Sequence, residues 1–125
     1  MSNDKLNQFA DRKYLNLETY RKSGKPVRTP MWFAEKDGLL YVYTLADAGK
    51  VKRLRNNTRV RAMPCDARGN ARGEWVDGEA RILDEAGAEL GHKLLREKYL
   101  LKRVGDIFSR IMNRERVVIA IQLDS

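Results

Sequence analysis

Residues 41–60, YVYTLADAGKVKRLRNNTRV, carry the change of period on which the fold turns. An apolar strand rich in β-branched and aromatic residues ends at Tyr43-Thr44, and a short loop follows. A short basic helix then opens at Gly49-Lys50 and closes at Asn56-Asn57, and a new strand starts at Arg59. A strand end, a helix N-terminus and cations set this close together can offer a hydroxyl, backbone N–H groups and positive charge to one anion. The stretch reads as a phosphate site.

Upstream, Leu6 and Phe9 lie at helical spacing behind Asn3 or Asp4, which predicts a short leading helix over residues 4–11. From Lys13 to Tyr20 the period becomes two, with Tyr14, Asn16, Glu18 and Tyr20 on one face and Leu15, Leu17 and Thr19 on the other. Ser23-Gly24-Lys25 marks a turn. Pro26 to Glu35 reads as the second strand, with Pro30 in its middle. Proline lacks the N–H that a central ladder needs, so this strand is expected at an edge or locally unpaired. Lys36-Asp37-Gly38 is a hairpin turn, and Leu39 to Leu45 is the third strand.

Downstream, Arg59 to Asp66 is the fourth strand, and Arg72 to Leu83 the fifth, with a bulge expected at Gly78. Glu85 to Arg103 switches to an amphipathic helix through Leu90, Leu94, Leu95, Tyr99 and Leu101. Gly105 interrupts it, Ile107, Phe108, Ile111 and Met112 form a second helical turn, and Arg114 to Leu123 is a buried sixth strand. The hairpins fit one antiparallel meander, and six strands this short are best satisfied by closing into a small barrel, which removes most edges. The expectation is a mainly β, six-stranded antiparallel barrel with helical insertions after the third and fifth strands.

At 125 residues and 14.4 kDa there is room for one domain over residues 1–125, with about two-thirds of the unfolded surface buried on folding. No apolar run approaches the roughly 20 residues of a membrane span. The opening MSNDKLNQF has neither the charged start nor the apolar middle of a signal peptide, so a cytoplasmic location is expected. One cysteine, Cys65, and one histidine, His92, make no metal-ligand set and no nucleophile pair. The excess of 25 Lys and Arg over 17 Asp and Glu, net +8, favours anionic partners without naming them.

The basic helix has a plain alternative, a solvated charged face. Three features favour a site: Thr44 at the strand end, Gly49 where backbone could approach a ligand, and Lys50 in the first helical turn. A lysine there is misplaced against the helix dipole unless an anion neutralises it. No Walker-type glycine pattern is present. The second motif, VRTPMWF over residues 27–33, could be an edge strand with core aromatics. Its functional reading uses Arg28 as a second anion clamp and the backbone around Pro30 for a planar heterocycle. Trp75 reads as core or interface.

On VRTPMWF, VYTLADAGKVKRLRNNTRV and the hairpin order around them, the chain resembles the pyridoxamine 5'-phosphate oxidase-like split β-barrel superfamily, and within it the flavin/deazaflavin oxidoreductases dependent on coenzyme F420. The resemblance implies that Arg28 and Lys50 bind the cofactor phosphate. It implies that Tyr43 and Thr44 contact the phosphate and ribityl chain, and that Thr29, Pro30 and Met31 lie along the ring system, with Arg53 a further cation. The oxidases carry a second basic residue before the lysine where this chain has Gly49. They also carry a substrate-phosphate lysine where it has Phe33, which argues against vitamin B6 oxidation.

The implied function is a homodimeric oxidoreductase that uses F420, in first place, or FMN to transfer a hydride to an unsaturated small molecule. No catalytic side chain and no metal are needed, because the cofactor carries the chemistry. Family members that use the deazaflavin bind a ligand with an acidic tail, which suits the positive charge. One rival is a non-catalytic carrier of flavin, deazaflavin or haem on the same barrel. A nucleic-acid-binding barrel is the other, and it lacks an aromatic platform interleaved with the basic surface.

Overall fold

The computed structural model describes residues 4–45, 48–99 and 116–124. In chain order these form α1 (Asp4–Asn7), β1 (Tyr14–Tyr20), β2 (Pro26–Trp32), β3 (Ala34–Lys36), β4 (Leu39–Leu45), α2 (Gly49–Asn56), β5 (Arg59–Cys65), β6 (Val76–Ile82), α3 (Glu85–Tyr99) and β7 (Arg116–Leu123). The expected Gly105 break, the helical turn at Ile107–Met112, the helix beyond Tyr99 and the first residues of the last strand lie outside the described residues.

Seven strands, where six were expected, form one curled antiparallel sheet among the described residues. The expected second strand divides at Phe33. Trp32 is the last residue paired to β1, opposite Tyr14, whereas Ala34 pairs with Tyr41 of β4. Between them the Phe33 ring is buried and packs edge-to-face on Phe9, with centroids 5.7 Å apart. Burying that ring turns the chain from one edge of the sheet to the other. Pro30 itself sits in an edge strand, opposite Asn16, as its missing N–H requires.

The strand order is β2-β1-β5-β6-β7-β4-β3, so the expected meander is wrong. After β4 the chain does not return in a hairpin. Val51 and Leu54 of α2 are buried, and this anchors the helix across the barrel end and delivers β5 beside β1. The strand β7 then fills the gap between β6 and β4. Because the two sheet edges, β2 and β3, are successive segments of chain, the sheet curls into a half-barrel around Leu15, Leu17, Leu40, Val42, Ile119 and Ile121.

The outer face of β4 and β7, carrying Tyr41, Val118 and Ala120, packs with Ala88 and Leu94 of α3. Burial on both faces explains the unbroken apolar run VVIAI in β7. The helix comes in closely: a Cβ at Gly91 would lie 2.4 Å from Val118 Cγ1.

Two expectations about the fifth strand are corrected. It begins at Val76, because residues 66–75 fold over the outer face of β1, where Asn16 Nδ2 donates to Gly69 O at 2.8 Å. Gln8 clamps the same loop, donating to Glu74 O and accepting from Glu74 N, both at 2.9 Å. The register runs unbroken through Gly78, opposite both Val60 and Leu123, so no bulge forms there. What Gly78 provides is closeness, since a Cβ would stand 2.8 Å from Gln122 O. The leading helix is also shorter than expected and ends at Asn7.

Candidate functional site

The alternation of β4 and the anchoring of α2 bring three expected residues together. Leu40 and Val42 point into the barrel, so Thr44 lies on the same face at its end. Lys50 Nζ donates to Thr44 Oγ1 at 3.3 Å. Arg53 stands one helical turn further, and its Nε donates to Thr19 Oγ1 at 2.6 Å. Thr19 is 1% exposed, which makes it a fixed acceptor within the sheet.

The electrostatics of this corner are one-sided. The first turn of α2 contains no acidic residue, and its N-cap, Ala48, provides no side-chain hydrogen bond. Burial first, and then the charge of Arg53, hold the Lys50 pKa below the usual lysine value. Burial and the charge of Arg21 lower that of Arg53 in turn. Among the described residues neither Lys50 nor Arg53 has a carboxylate within ion-pair distance. A helix N-terminus flanked by such cations is suited to an anion.

Arg28 belongs to a different surface. It faces outward on β2 with Glu18, its Nε donating to Glu18 Oε2 at 2.6 Å, and its side chain is 56% exposed. Arg61, opposite Glu18 on β5, reaches Oε1 at 3.4 Å, and Tyr20 Oη donates to the same oxygen at 2.8 Å. Trp75 lies with both guanidinium carbons 5.0 Å from its ring centroid, so it is a cation-π partner on the outer face. No described contact joins Arg28 to Lys50.

The other expected residues are spread around these two groups. Thr29 is half-buried opposite Leu17, Pro30 is exposed, and Met31 is buried in the barrel core. Tyr43 is directed away from Thr44, toward α3, where its ring meets His92 edge-on at 5.4 Å. Glu18 and Thr19 escaped the sequence reading. Their only signal was polarity at strand positions just after the core residues Leu15 and Leu17, and the partners come from strands and a helix distant in sequence.

A cavity of about 530 Å³ lies elsewhere, between α1, β3 and α3, lined by Phe9, Phe33, Leu94, Glu35, Glu97 and Lys98 among others. Three carboxylates, Asp11, Glu35 and Glu97, against one lysine give it the wrong sign for a phosphate. Phe33 is a core residue there: Lys98 Nζ donates to Phe33 O and Arg12 O, both at 2.7 Å, and lies 3.8 Å from the Phe33 ring centroid. Cys65 is buried, which pushes its thiol up to about 11. No cluster able to hold a metal ion is found among the described residues. No described helix is long and apolar enough to cross a membrane.

Comparison with known proteins agrees with this architecture. A conserved hypothetical protein of Mycobacterium tuberculosis superposes with a TM-score of 0.76 at 24% identity, covering 100% of this chain and 82% of its own. HutZ, the heme storage protein of Vibrio cholerae, gives 0.70 at 18% identity, covering 98% and 90%. An F420 reductase gives 0.62 at 21% identity, covering 95% and 93%. At these identities the likeness is one of fold. No curated protein matches the sequence. The family model for pyridoxamine 5'-phosphate oxidase, however, matches residues 2–125. The chain therefore belongs to the pyridoxamine 5'-phosphate oxidase family.

Proposed function

We propose that the protein is an oxidoreductase that holds coenzyme F420, or else FMN, by its phosphate at the barrel end formed by Thr44, Lys50 and Arg53. The observation that carries this is a pair of cations at an uncapped, acid-free helix start with no described carboxylate to neutralise them. Membership of the family supports a cofactor of this kind, and the likeness to an F420 reductase supports the deazaflavin as first choice. The net charge of +8 suits an acidic ligand.

The bound cofactor supplies the hydride, delivered to an unsaturated small molecule. The chain's part is to bind, orient and shield. Lys50, Arg53 and the Thr44 hydroxyl hold the phosphate, whereas Arg28, expected as a second clamp, stands on the outer face with Glu18. Thr29 and the backbone around Pro30 are assigned to the ring, whereas Met31 lies in the core and Tyr43 packs against His92, so neither is given a cofactor contact. A homodimer in the cytoplasm completes the proposal, with Trp75 and the C-terminal helical segment closing the site from the partner.

Titration of the purified protein with F420 and with FMN, followed by fluorescence, tests it. Micromolar binding of either is expected, and binding of neither overturns the assignment. The likeness to a heme storage protein favours a second reading, a carrier without turnover. Oxidation of bound reduced cofactor by an added unsaturated acceptor separates the two, since a carrier leaves the acceptor unchanged.

A further inference from the structure

We infer that Gly49 and Thr19 are positioning residues for Arg53, holding its guanidinium against the first turn of α2 so that Arg53 and Lys50 form one preset cationic clamp. The inference rests on reading this barrel end as the phosphate site.

Residues four apart share a helix face, and helical side chains lean toward the N-terminus, so Arg53 runs back over position 49. A Cβ at Gly49 would lie 2.9 Å from Arg53 Nη1, 3.8 Å from Cζ and 4.0 Å from Nη2. The bare backbone at 49 is what makes room for the guanidinium beside the helix start. From the other side, Thr19 Oγ1 accepts from Nε at 2.6 Å. Thr19 sits in β1, between β2 and β5, and is 1% exposed, so this anchor is rigid. Contacts at both ends of one guanidinium fix its place before any ligand arrives.

Two cations held side by side repel, and the Lys50 pKa is lowered first by burial and then by the charge of Arg53. Nothing in the folding of α2 requires it, since Val51 and Leu54 anchor the helix. An anion placed between them gains from both charges, and it does so without the entropy of ordering a long side chain. Alanine at 49 would suit the helix better than glycine. Helix stability and anion binding therefore ask for different residues at this position.

The test uses the full chain, with FMN and F420 as probes. Gly49→Ala is expected to keep or raise the thermal midpoint while weakening cofactor binding about tenfold. In an Arg53→Ala background the same substitution is expected to change binding no further. Thr19→Val, which removes the acceptor at constant volume, is expected to weaken binding in the parent and to change it no further in the Arg53→Ala background. A ligand-free readout accompanies these: the Arg53 Nε–H proton exchanges slowly in the parent and quickly in Gly49→Ala and Thr19→Val, by nitrogen-15 NMR. Parent-like affinity in Gly49→Ala, or an equal loss with and without Arg53, overturns the positioning role. A parent that binds neither cofactor overturns the phosphate reading, and the clamp with it.

Discussion

Glu18 and Arg28 face each other across β1 and β2, Oε2 to Nε at 2.6 Å, with the carboxylate side chain 2% exposed and the arginine 56%. The pair is asymmetric: a buried acid meets a base still in contact with water. Burial raises the Glu18 pKa. Hydrogen bonds from Arg28 and Tyr20 and the charges of Arg61 and Arg28 outweigh it and bring the group below its ordinary 4.5. Tyr20, half-buried and bonded to that carboxylate, is pushed up to about 12.

A carboxyl whose folded pKa is depressed stabilises the fold above its unfolded value, and that contribution disappears as pH falls through the folded one. Glu18→Gln is therefore expected to cost roughly 1.5–3 kcal/mol at neutral pH, toward the lower figure because Arg28 is solvated. Denaturant titrations of parent and variant should converge below pH 4.5. A constant gap down to low pH would remove the charge from the explanation.

Removing Arg28 should leave the fold standing. Glu18 retains Arg61 and Tyr20, so Arg28→Ala does not strand a buried charge. Because Arg28 faces outward, away from Thr44 and Lys50, its loss is expected to leave cofactor binding close to the parent's, whereas Lys50→Ala is expected to weaken F420 or FMN binding about tenfold, or about 1.4 kcal/mol. If Lys50→Ala binds like the parent while far-ultraviolet circular dichroism is unchanged, the phosphate is held elsewhere.

Gly91 sets how closely α3 approaches β7. A Cβ there would lie 2.4 Å from Val118 Cγ1 and 3.0 Å from Cγ2, and neither the helix nor a central strand can yield cheaply. Gly91→Ala is expected to lower stability by roughly 1–3 kcal/mol through overpacking, despite alanine's better helix propensity. Combining it with Val118→Ala should recover part of the loss. Additive losses in thermal unfolding would refute the contact.

What the sequence disclosed and what it hid divide along contact distance. Thr44, Lys50 and Arg53 sit within one continuous stretch, so strand period, loop length and helix register sufficed to bring them together. Thr19 and Glu18 meet partners 34 and 43 residues away, through a strand order that hairpin logic inverts. Arg28 was legible as a cation but not as Glu18's partner, because that pairing requires knowing which faces of β1 and β2 coincide. The split at Phe33 left no mark either. MWFAE reads as continuous strand, and only the closure of the sheet on itself shows where the chain changes edges.

Phe33 fills the corner between those edges, and Lys98 already stands over its ring. Replacing it with lysine would put an ammonium into a buried position beside another. Phe33→Lys is expected to cost at least about 3 kcal/mol, the scale of emptying a buried phenylalanine site, and to confer no oxidation of a phosphorylated vitamin B6 substrate. A variant as stable as the parent in urea would show that the corner tolerates charge.

Lys50 provides the pH test of the anion site. Its folded pKa is lowered from 10.5 by burial and by Arg53, so the charged form costs stability at every pH below the lowered value. That cost fades as pH rises through the folded pKa toward the unfolded one. A bound phosphate reverses the preference and raises the pKa, so binding retains a proton that the free protein would lose. Cofactor affinity is therefore expected to be flat through neutral pH and to fall as pH rises past the lowered Lys50 value, ahead of an ordinary lysine. Lys50→Arg, which stays charged, should bind with a flat profile over the same range, and comparing the two with one ligand cancels the ligand's own titration. Identical profiles for parent and variant would mean that Lys50 does not carry the charge that the phosphate meets.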